Sequence, residues 1–245
     1  MSKLPSDRPE TKPVSSDDEI DAFLDKVQSM KPAASAGMGR RGRLIFAMDA
    51  TASRQPLWDH ACHIQADMFQ ETQTIGGLEV QLVYYRGYKE CKASKWQMDG
   101  KGLSRLMTSV SCLGGHTQID RVLAHCLNQT RKEKVDAVIF VGDAFEEEID
   151  DVCAKAGELG MMGVPVFLFQ EGLNPVAERA FRQIAKLTGG AWCSFDMNSA
   201  KQLRDLLAAV AVYAAGGRQA MLDYSDRVGG EVLKLTSRFR GQQNK

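Results

Sequence analysis

An α/β fold, with a mainly parallel sheet and helices on both faces, is predicted by three observations. Strand-like and helix-like stretches alternate from Leu44 to Ala214, as in layered α/β domains. Two of the strand-like stretches, Leu44–Met48 and Val135–Val141, are near-continuous apolar runs. Parallel strands covered on both faces read this way. Helical stretches stop at the glycine pairs Gly189-Gly190 and Gly216-Gly217, where a left-handed cap carries little strain.

The elements follow in order. Residues 1–15 are polar and carry Pro5, Pro9 and Pro13, a composition expected to be disordered. Ser16-Asp17-Asp18-Glu19 reads as a capping box, and Ile20, Phe23, Leu24 and Val27 continue it at helical spacing. A Pro/Ala/Gly/Ser/Arg linker runs from Lys31 to Arg43, so this helix is expected to be tethered outside the main domain. It either packs back on that domain or docks into a partner's groove.

Leu44–Met48 is the first strand. A helix carries Trp58, Cys62, Ile64, Ala66 and Phe69 after Pro56, a residue suited to a first turn. Leu78–Tyr85 is the second strand, and Lys89–Lys95 a short partner after the Arg86-Gly87 turn. Leu103–Val110 and Ile119–Leu127 are helices. Val135–Val141 is a strand broken only by Asp136. Ile149–Leu159 is a helix, and Val164–Phe169 is a strand with Pro165 near its start. A helix over Val176–Ala185, a strand over Ala191–Phe195 and a helix over Leu203–Ala214 complete the alternation. The expected division is a tail with a short helix and linker over 1–40, the main domain over 41–217, and short helices with a frayed tail over 218–245.

Composition narrows the function. The 245 residues are 44% hydrophobic and 25% charged, ordinary globular usage that excludes global disorder and a collagen-like fibre. Lys+Arg and Asp+Glu both number 31, and a zero net charge speaks against a general nucleic-acid or membrane-surface binder. No uncharged apolar run approaches the ~20 residues of a spanning helix, and the polar N-terminus has no signal-peptide core. Cys62, Cys91, Cys112, Cys126, Cys153 and Cys193 form no CxxC pair. Reduced, mostly buried thiols in a cytoplasmic protein are therefore expected.

In an open parallel sheet, ligands bind beyond the carboxyl ends of the strands, where the strand order reverses. Asp49-Ala50-Thr51-Ala52-Ser53 follows the first strand, and Gly142-Asp143-Ala144 follows the Val135–Val141 strand. Between them, Gly114-Gly115-His116-Thr117 opens a helix. These loops offer two carboxylates and three hydroxyls, an all-oxygen set suited to a hard divalent cation such as Mg²⁺. Neutral hydroxyls would leave the ion electrophilic enough to accept an anionic ligand.

Asp49-Ala50-Thr51-Ala52-Ser53 resembles the DxSxS signature of von Willebrand factor type A domains. Gly114-Gly115-His116-Thr117-Gln118-Ile119 is similar to their Gly-Gly-Thr-Asn-Ile stretch, with His116 extra, and Gly142-Asp143 matches the Asp after the fourth strand. The resemblance covers about Arg43 to Gly217. It implies a three-layer, Rossmann-like doubly wound sheet in order 3-2-1-4-5-6, with strand three, Lys89–Lys95, antiparallel. It also implies a metal-ion-dependent adhesion site for Mg²⁺ or Mn²⁺, held by Asp49, Thr51, Ser53, Thr117 and Asp143. An Asp or Glu of a partner protein would complete the shell. Intracellular, bacterial-type members often act as adaptors in multi-protein assemblies, so a cytoplasmic, non-enzymatic interaction module is expected. Thr51 stands where the signature has serine, which keeps the hydroxyl and adds a methyl. His116 either approaches the metal or hydrogen-bonds within its loop.

Other constellations carry less. His60, Cys62 and His63 lie close on one helix, but spacing supplies no further zinc ligands. Glu146-Glu147-Glu148 with Asp150-Asp151 reads as a solvated acidic first turn, favoured by the helix dipole. Tyr84-Tyr85-Arg86-Gly87-Tyr88 reads as a strand end with interfacial tyrosines rather than a nucleic-acid stacking platform. The alternative function is a Mg²⁺-dependent phosphoryl-transfer enzyme with Asp49 as nucleophile. Such enzymes of the haloacid-dehalogenase type normally place a second Asp two residues on, where this chain has Thr51.

Overall fold

The computed structural model describes residues 41–52, 77–195 and 200–228, together with Ala22, Phe23, Lys26, Ser29, Met30, Trp58, Glu71 and Thr72. Its centre is a six-stranded sheet in the order β3-β2-β1-β4-β5-β6. The strands are β1 (Gly42–Asp49), β2 (Leu78–Arg86), β3 (Glu90–Ala93), β4 (Ala137–Gly142), β5 (Val166–Glu171) and β6 (Ala191–Phe195). β3 pairs antiparallel with β2, and the remaining pairs are parallel. The predicted strand order and the antiparallel third strand are both present.

β1 is buried along its whole length, which is why its sequence is a continuous apolar run rather than an alternation. Leu44, Phe46 and Met48 face one core, with Trp58 and residues of α1 (Gly100–Thr108) and α5 (Ala200–Val228). Ile45 and Ala47 face the other, with α2 (Ile119–Lys132), α3 (Ile149–Met161) and α4 (Pro175–Thr188). Each buried aliphatic or aromatic side chain contributes ~1.5–3 kcal/mol, so two cores sharing one sheet hold its orientation firmly.

Local chemistry sets the helix ends. The Asp99 carboxylate accepts the Gly102 amide at the start of α1. Asn174 accepts the Val176 and Ala177 amides, Pro175 opens α4, and Gly189 closes it in the left-handed region. α5 comprises two helical segments that meet at the predicted stop, Gly216-Gly217. Its helical conformation breaks at Gly217 (φ 71°, ψ −163°) and then resumes to Val228. β4 begins two residues later than its apolar run because Asp136 is occupied elsewhere, accepting the Arg43 amide at 2.9 Å.

Of the N-terminal helix expected over Ile20–Val27, Ala22, Phe23 and Lys26 are described and helical. Phe23 is 2% exposed and belongs to the α5-side core. Its ring meets Phe167 at 5.9 Å and Phe169 at 5.3 Å. Ile20, Leu24 and Val27, the linker, most of the helix after Pro56 (His60, Cys62 and His63 included) and residues 229–245 lie outside the described residues. The free thiols divide: Cys126 and Cys193 are buried, whereas Cys91, Cys112 and Cys153 are half-buried. Burial pushes the Cys91 thiol up to about 11. Among the described residues, no helix is long and apolar enough to cross a membrane.

Candidate metal centre

The site is built on the last residue of β1. Asp49 pairs with Tyr85 across the β1–β2 ladder, and Met48 pairs with Val141 across β1–β4. Gly142 and Asp143 therefore follow directly beside the end of β1. Side chains alternate along a strand, so Asp49 follows Ile45 and Ala47 onto the α2–α4 face. It is 1% exposed. Its Oδ1 accepts the Thr51 amide at 2.7 Å, an Asx turn that folds the loop back over the carboxylate. A Cβ on Gly142 would lie 2.8 Å from the Phe140 ring and 3.8 Å from the Asp49 Cβ. Glycine there keeps the β4 end close to Asp49.

The loop before α2 is tied to three neighbours. The Leu113 amide donates to the Ala50 carbonyl at 3.0 Å. Gln118 Nε2 donates to the Arg86 and Gly87 carbonyls at 3.3 and 3.2 Å. Gly115 lies so close to Gly87 that a Cβ would sit 2.2 Å from its carbonyl oxygen. This packing accounts for the glycine that sequence analysis could assign only by motif. On the β4 side, Glu146 Oε2 accepts the Thr117 amide at 3.2 Å, while the Glu146 amide donates to Thr117 Oγ1 at 3.0 Å.

Glu147 corrects the reading of the acidic run. Its carboxylate accepts the Ile119 amide at 2.6 Å and the Asp120 amide at 2.9 Å. It caps α2, whose own N-cap residue Gln118 makes no side-chain cap bond. Glu146 and Glu147 precede α3 rather than forming its first turn, which holds Asp150 and Asp151. Amides at a helix start carry partial positive charge and take a carboxylate readily, whichever loop supplies it. His116 is a loop hydrogen-bonding group: its Nδ1 lies 3.3 Å from Glu146 Oε2, and its ring meets Tyr88 edge-on at 5.3 Å.

Three of the five predicted ligand residues, Asp49, Thr117 and Asp143, thus lie on three loops at one sheet edge, with Thr51 beside Asp49. Asp49 and Thr117 are buried, and Thr51 and Asp143 are half-buried. Ser53 lies outside the described residues. Among the described residues, no group of three or more His, Cys, Asp or Glu is placed to hold a metal ion. The predicted set has two carboxylates and depends on hydroxyls for the rest.

Tyr85, read from the sequence as an interfacial tyrosine, is instead fully buried, because the α2–α4 face covers this strand end. It stacks on Phe140 at 6.3 Å, and its hydroxyl makes no hydrogen bond of ordinary geometry. Burial, then the Asp49 carboxylate through its charge and its hydrogen-bonding proximity to the hydroxyl, then Glu147 and Asp143, hold the phenol well above its usual range. Asp49 is thus the main acid acting on this hydroxyl, with Glu147 and Asp143 contributing less. Acidic surroundings, oxygen donors and an orphaned polar atom fit a hard divalent cation. The signal available in sequence was position alone: the eighth residue of an aligned second strand faces the end of the first.

No family model and no curated protein matches the chain by sequence. Solved structures do match by shape. A von Willebrand factor type A protein from Catenulispora acidiphila superposes with a TM-score of 0.56 at 16% identity, over 70% of this chain and 43% of its own. The chain has the von Willebrand factor type A fold. An aerotolerance-related membrane protein from Bacteroides fragilis shares this fold at a TM-score of 0.51 and 16% identity, covering 68% of this chain and 98% of its own. The pilus adhesin SpaC from Lactobacillus rhamnosus GG shares it at 0.56 and 10%, covering 71% and 30%. The match thus spans less than half of the Catenulispora and Lactobacillus chains. In this type A fold the reversal of strand order between β1 and β4 is where the Asp49 and Asp143 loops meet.

Proposed function

We propose that the chain is a metal-dependent protein-interaction module, an adaptor rather than an enzyme, acting in the cytoplasm within a multi-protein assembly. Asp49, Thr51, Ser53, Thr117 and Asp143 would hold Mg²⁺ or Mn²⁺. The observation that carries this reading is Asp49: a 1%-exposed carboxylate at the carboxyl edge of the sheet, with Asp143 on the adjoining loop and the buried Tyr85 as its register partner.

The chain's own residues divide the work. Asp49 and Asp143 supply the negative charge. The hydroxyls of Thr51, Ser53 and Thr117 supply neutral oxygens. The Thr51 amide fixes one Asp49 oxygen, and the reciprocal Thr117–Glu146 pair fixes the loop that carries Thr117. When bound, the cation supplies a Lewis-acid seat for a carboxylate of a protein partner. Truncating one side of such a desolvated charged contact costs ~2–5 kcal/mol.

The test is capture of cell proteins on the immobilised chain in Mg²⁺ and in chelator, with a parallel Mg²⁺ titration by calorimetry. The expected result is Mg²⁺ binding, and capture of a partner that is lost in chelator and in Asp49→Ala. Full-strength capture in chelator would place recognition on another surface. Mg²⁺-dependent hydrolysis of a phosphate ester, abolished in Asp49→Asn, would replace the adaptor with a phosphoryl-transfer enzyme.

A further inference from the structure

Tyr85 lies outside the motif that names the candidate ligands, yet it sits against the first of them. Asp49 and Tyr85 are register partners in adjacent parallel strands, so both side chains leave the same face of the sheet. The Ala50 amide donates to the Tyr85 carbonyl at 2.9 Å, which holds the two strand ends together past the ladder. The ring is locked in place by its stack on Phe140 and by the α2–α4 core.

Packing does not ask for a tyrosine here. A buried hydroxyl with no hydrogen bond of ordinary geometry carries a desolvation penalty, and phenylalanine would fill the same space without it. The hydroxyl nonetheless lies among carboxylates, where a neutral phenol has one proton to donate. Asp49 accepts the Thr51 amide at Oδ1, and a donor on the β2 side adds to the hold on the carboxylate.

We propose that Tyr85 is a positioning residue for the metal centre: its hydroxyl takes the Asp49 carboxylate as acceptor in the loaded site and holds it in its ligating orientation. This role rests on the metal-centre reading above. A hydrogen bond that reaches good geometry only in the loaded state supports metal affinity more than the stability of the metal-free chain. That separates it from an ordinary core contact. Outer-shell partners of metal ligands are typically worth ~10–100-fold in affinity.

The experiment uses the full chain, Tyr85→Phe and Tyr84→Phe. Thermal unfolding is followed in chelator and in saturating Mg²⁺, and Mg²⁺ is titrated by calorimetry. Tyr84→Phe is the control, because Tyr84 meets Trp58 edge-on on the opposite face. Tyr85→Phe is expected to keep or raise the melting temperature in chelator and to weaken Mg²⁺ binding ~10–100-fold. Tyr84→Phe is expected to leave the affinity unchanged. In wild type, Mg²⁺ should also perturb tyrosine absorbance, and that change should vanish in Tyr85→Phe. Equal Mg²⁺ affinity in Tyr85→Phe and wild type would overturn the proposal. So would an equal loss of melting temperature in chelator and in Mg²⁺, which would make Tyr85 a plain core residue. A wild-type chain that takes up no Mg²⁺ would overturn the metal-centre reading, and this role with it, an outcome distinct from one confined to the variant.

Discussion

The two ends of β1 bury charge to a similar degree and treat it in opposite ways. At the start, Arg43 is 5% exposed and Asp136 is 1% exposed. The Arg43 guanidinium donates to the Glu133 carbonyl at 2.9 Å, pairs with the Glu133 carboxylate at 3.1 Å and with Glu79 at 3.7 Å, and lies 4.0 Å over the Trp96 ring. Its amide donates to Asp136. Both signs of charge are present and bonded within the chain. At the other end, the described neighbours of Asp49 include the Thr51 amide, the Tyr85 phenol and the carboxylates of Glu147 and Asp143. Burying an ion costs several kcal/mol unless opposite charge and hydrogen bonds offset it. The first end is a structural network of both charges, in which the Arg43 Nε makes no hydrogen bond of ordinary geometry. The second brings carboxylates near one another at a sheet edge, an arrangement that an external cation would relieve. The lesson is that burial alone does not separate a structural charge from a functional one; the sign of the neighbours does.

The largest expected effect tests the Asp49 end. Asp49→Ala should cut Mg²⁺ affinity by more than the ~10–100-fold of an outer-shell change, while the metal-free melting temperature holds or rises as like charge is removed. A variant that unfolds in chelator would put Asp49 in the same class as Arg43 and erase the contrast. Asp136→Ala is the mirror test. It removes a buried carboxylate that accepts the Arg43 backbone amide and should cost ~1.5–3 kcal/mol by denaturant titration, with Mg²⁺ affinity of the folded protein unchanged. A change in affinity would mean that the two ends are coupled through β1.

Smaller effects sharpen the boundary of the acidic end. Glu147→Ala removes the cap on α2 and should lower stability by ~1–3 kcal/mol. Exposed Glu148, at a helix start with no side-chain cap bond, should stay within ~0.5 kcal/mol of wild type when changed to Gln. Glu148→Gln should instead alter the rate and salt dependence of partner association, read on a biosensor at two ionic strengths. Equal stabilities of the two variants would return Glu147 to the solvated acidic run.

The smallest effect lies away from both ends. Half-buried His125 bonds the Gln81 side chain at 2.8 Å. Burial, with a lesser contribution from Lys132, lowers its pKa. The unfolded chain therefore binds this proton more readily. The contribution of His125 to stability is full above its unfolded pKa of ~6.5 and declines as pH falls toward the lowered folded value. Melting temperatures at successive pH values below 7 should show a slope that His125→Gln reduces. An unchanged slope would assign the acid sensitivity to carboxylates elsewhere.

The order of strands and helices, their approximate bounds and the three loops at the carboxyl edge were readable from residues alone. Apolar periodicity, caps and glycine stops are local signals, and the parallel sheet follows from their alternation. The uninterrupted run Leu44–Met48 announced a strand covered on both faces, and Asp49 announced where that cover ends. Gly115 and Gly142 were visible as motif glycines, but the contacts that require them, with Gly87 and with Phe140, join residues far apart in the chain or stacked across a strand end.

What the tertiary structure alone decided are the partnerships between such distant positions. Asp136 interrupts its own apolar strand in order to accept the Arg43 amide. Glu147 leaves a run of like acids to cap a helix other than the one it precedes. Phe23, legible as an apolar position on a helix, gains its partners Phe167 and Phe169 only when the chain folds back on β5. Tyr85, one of two adjacent tyrosines, becomes the buried neighbour of Asp49 while Tyr84 turns to the other core. The physical reason is common to all four. A sequence fixes which groups must be buried or bonded through local period and polarity, but a donor, an acceptor or a ring finds its partner by register and packing, which bring together residues that no local pattern connects.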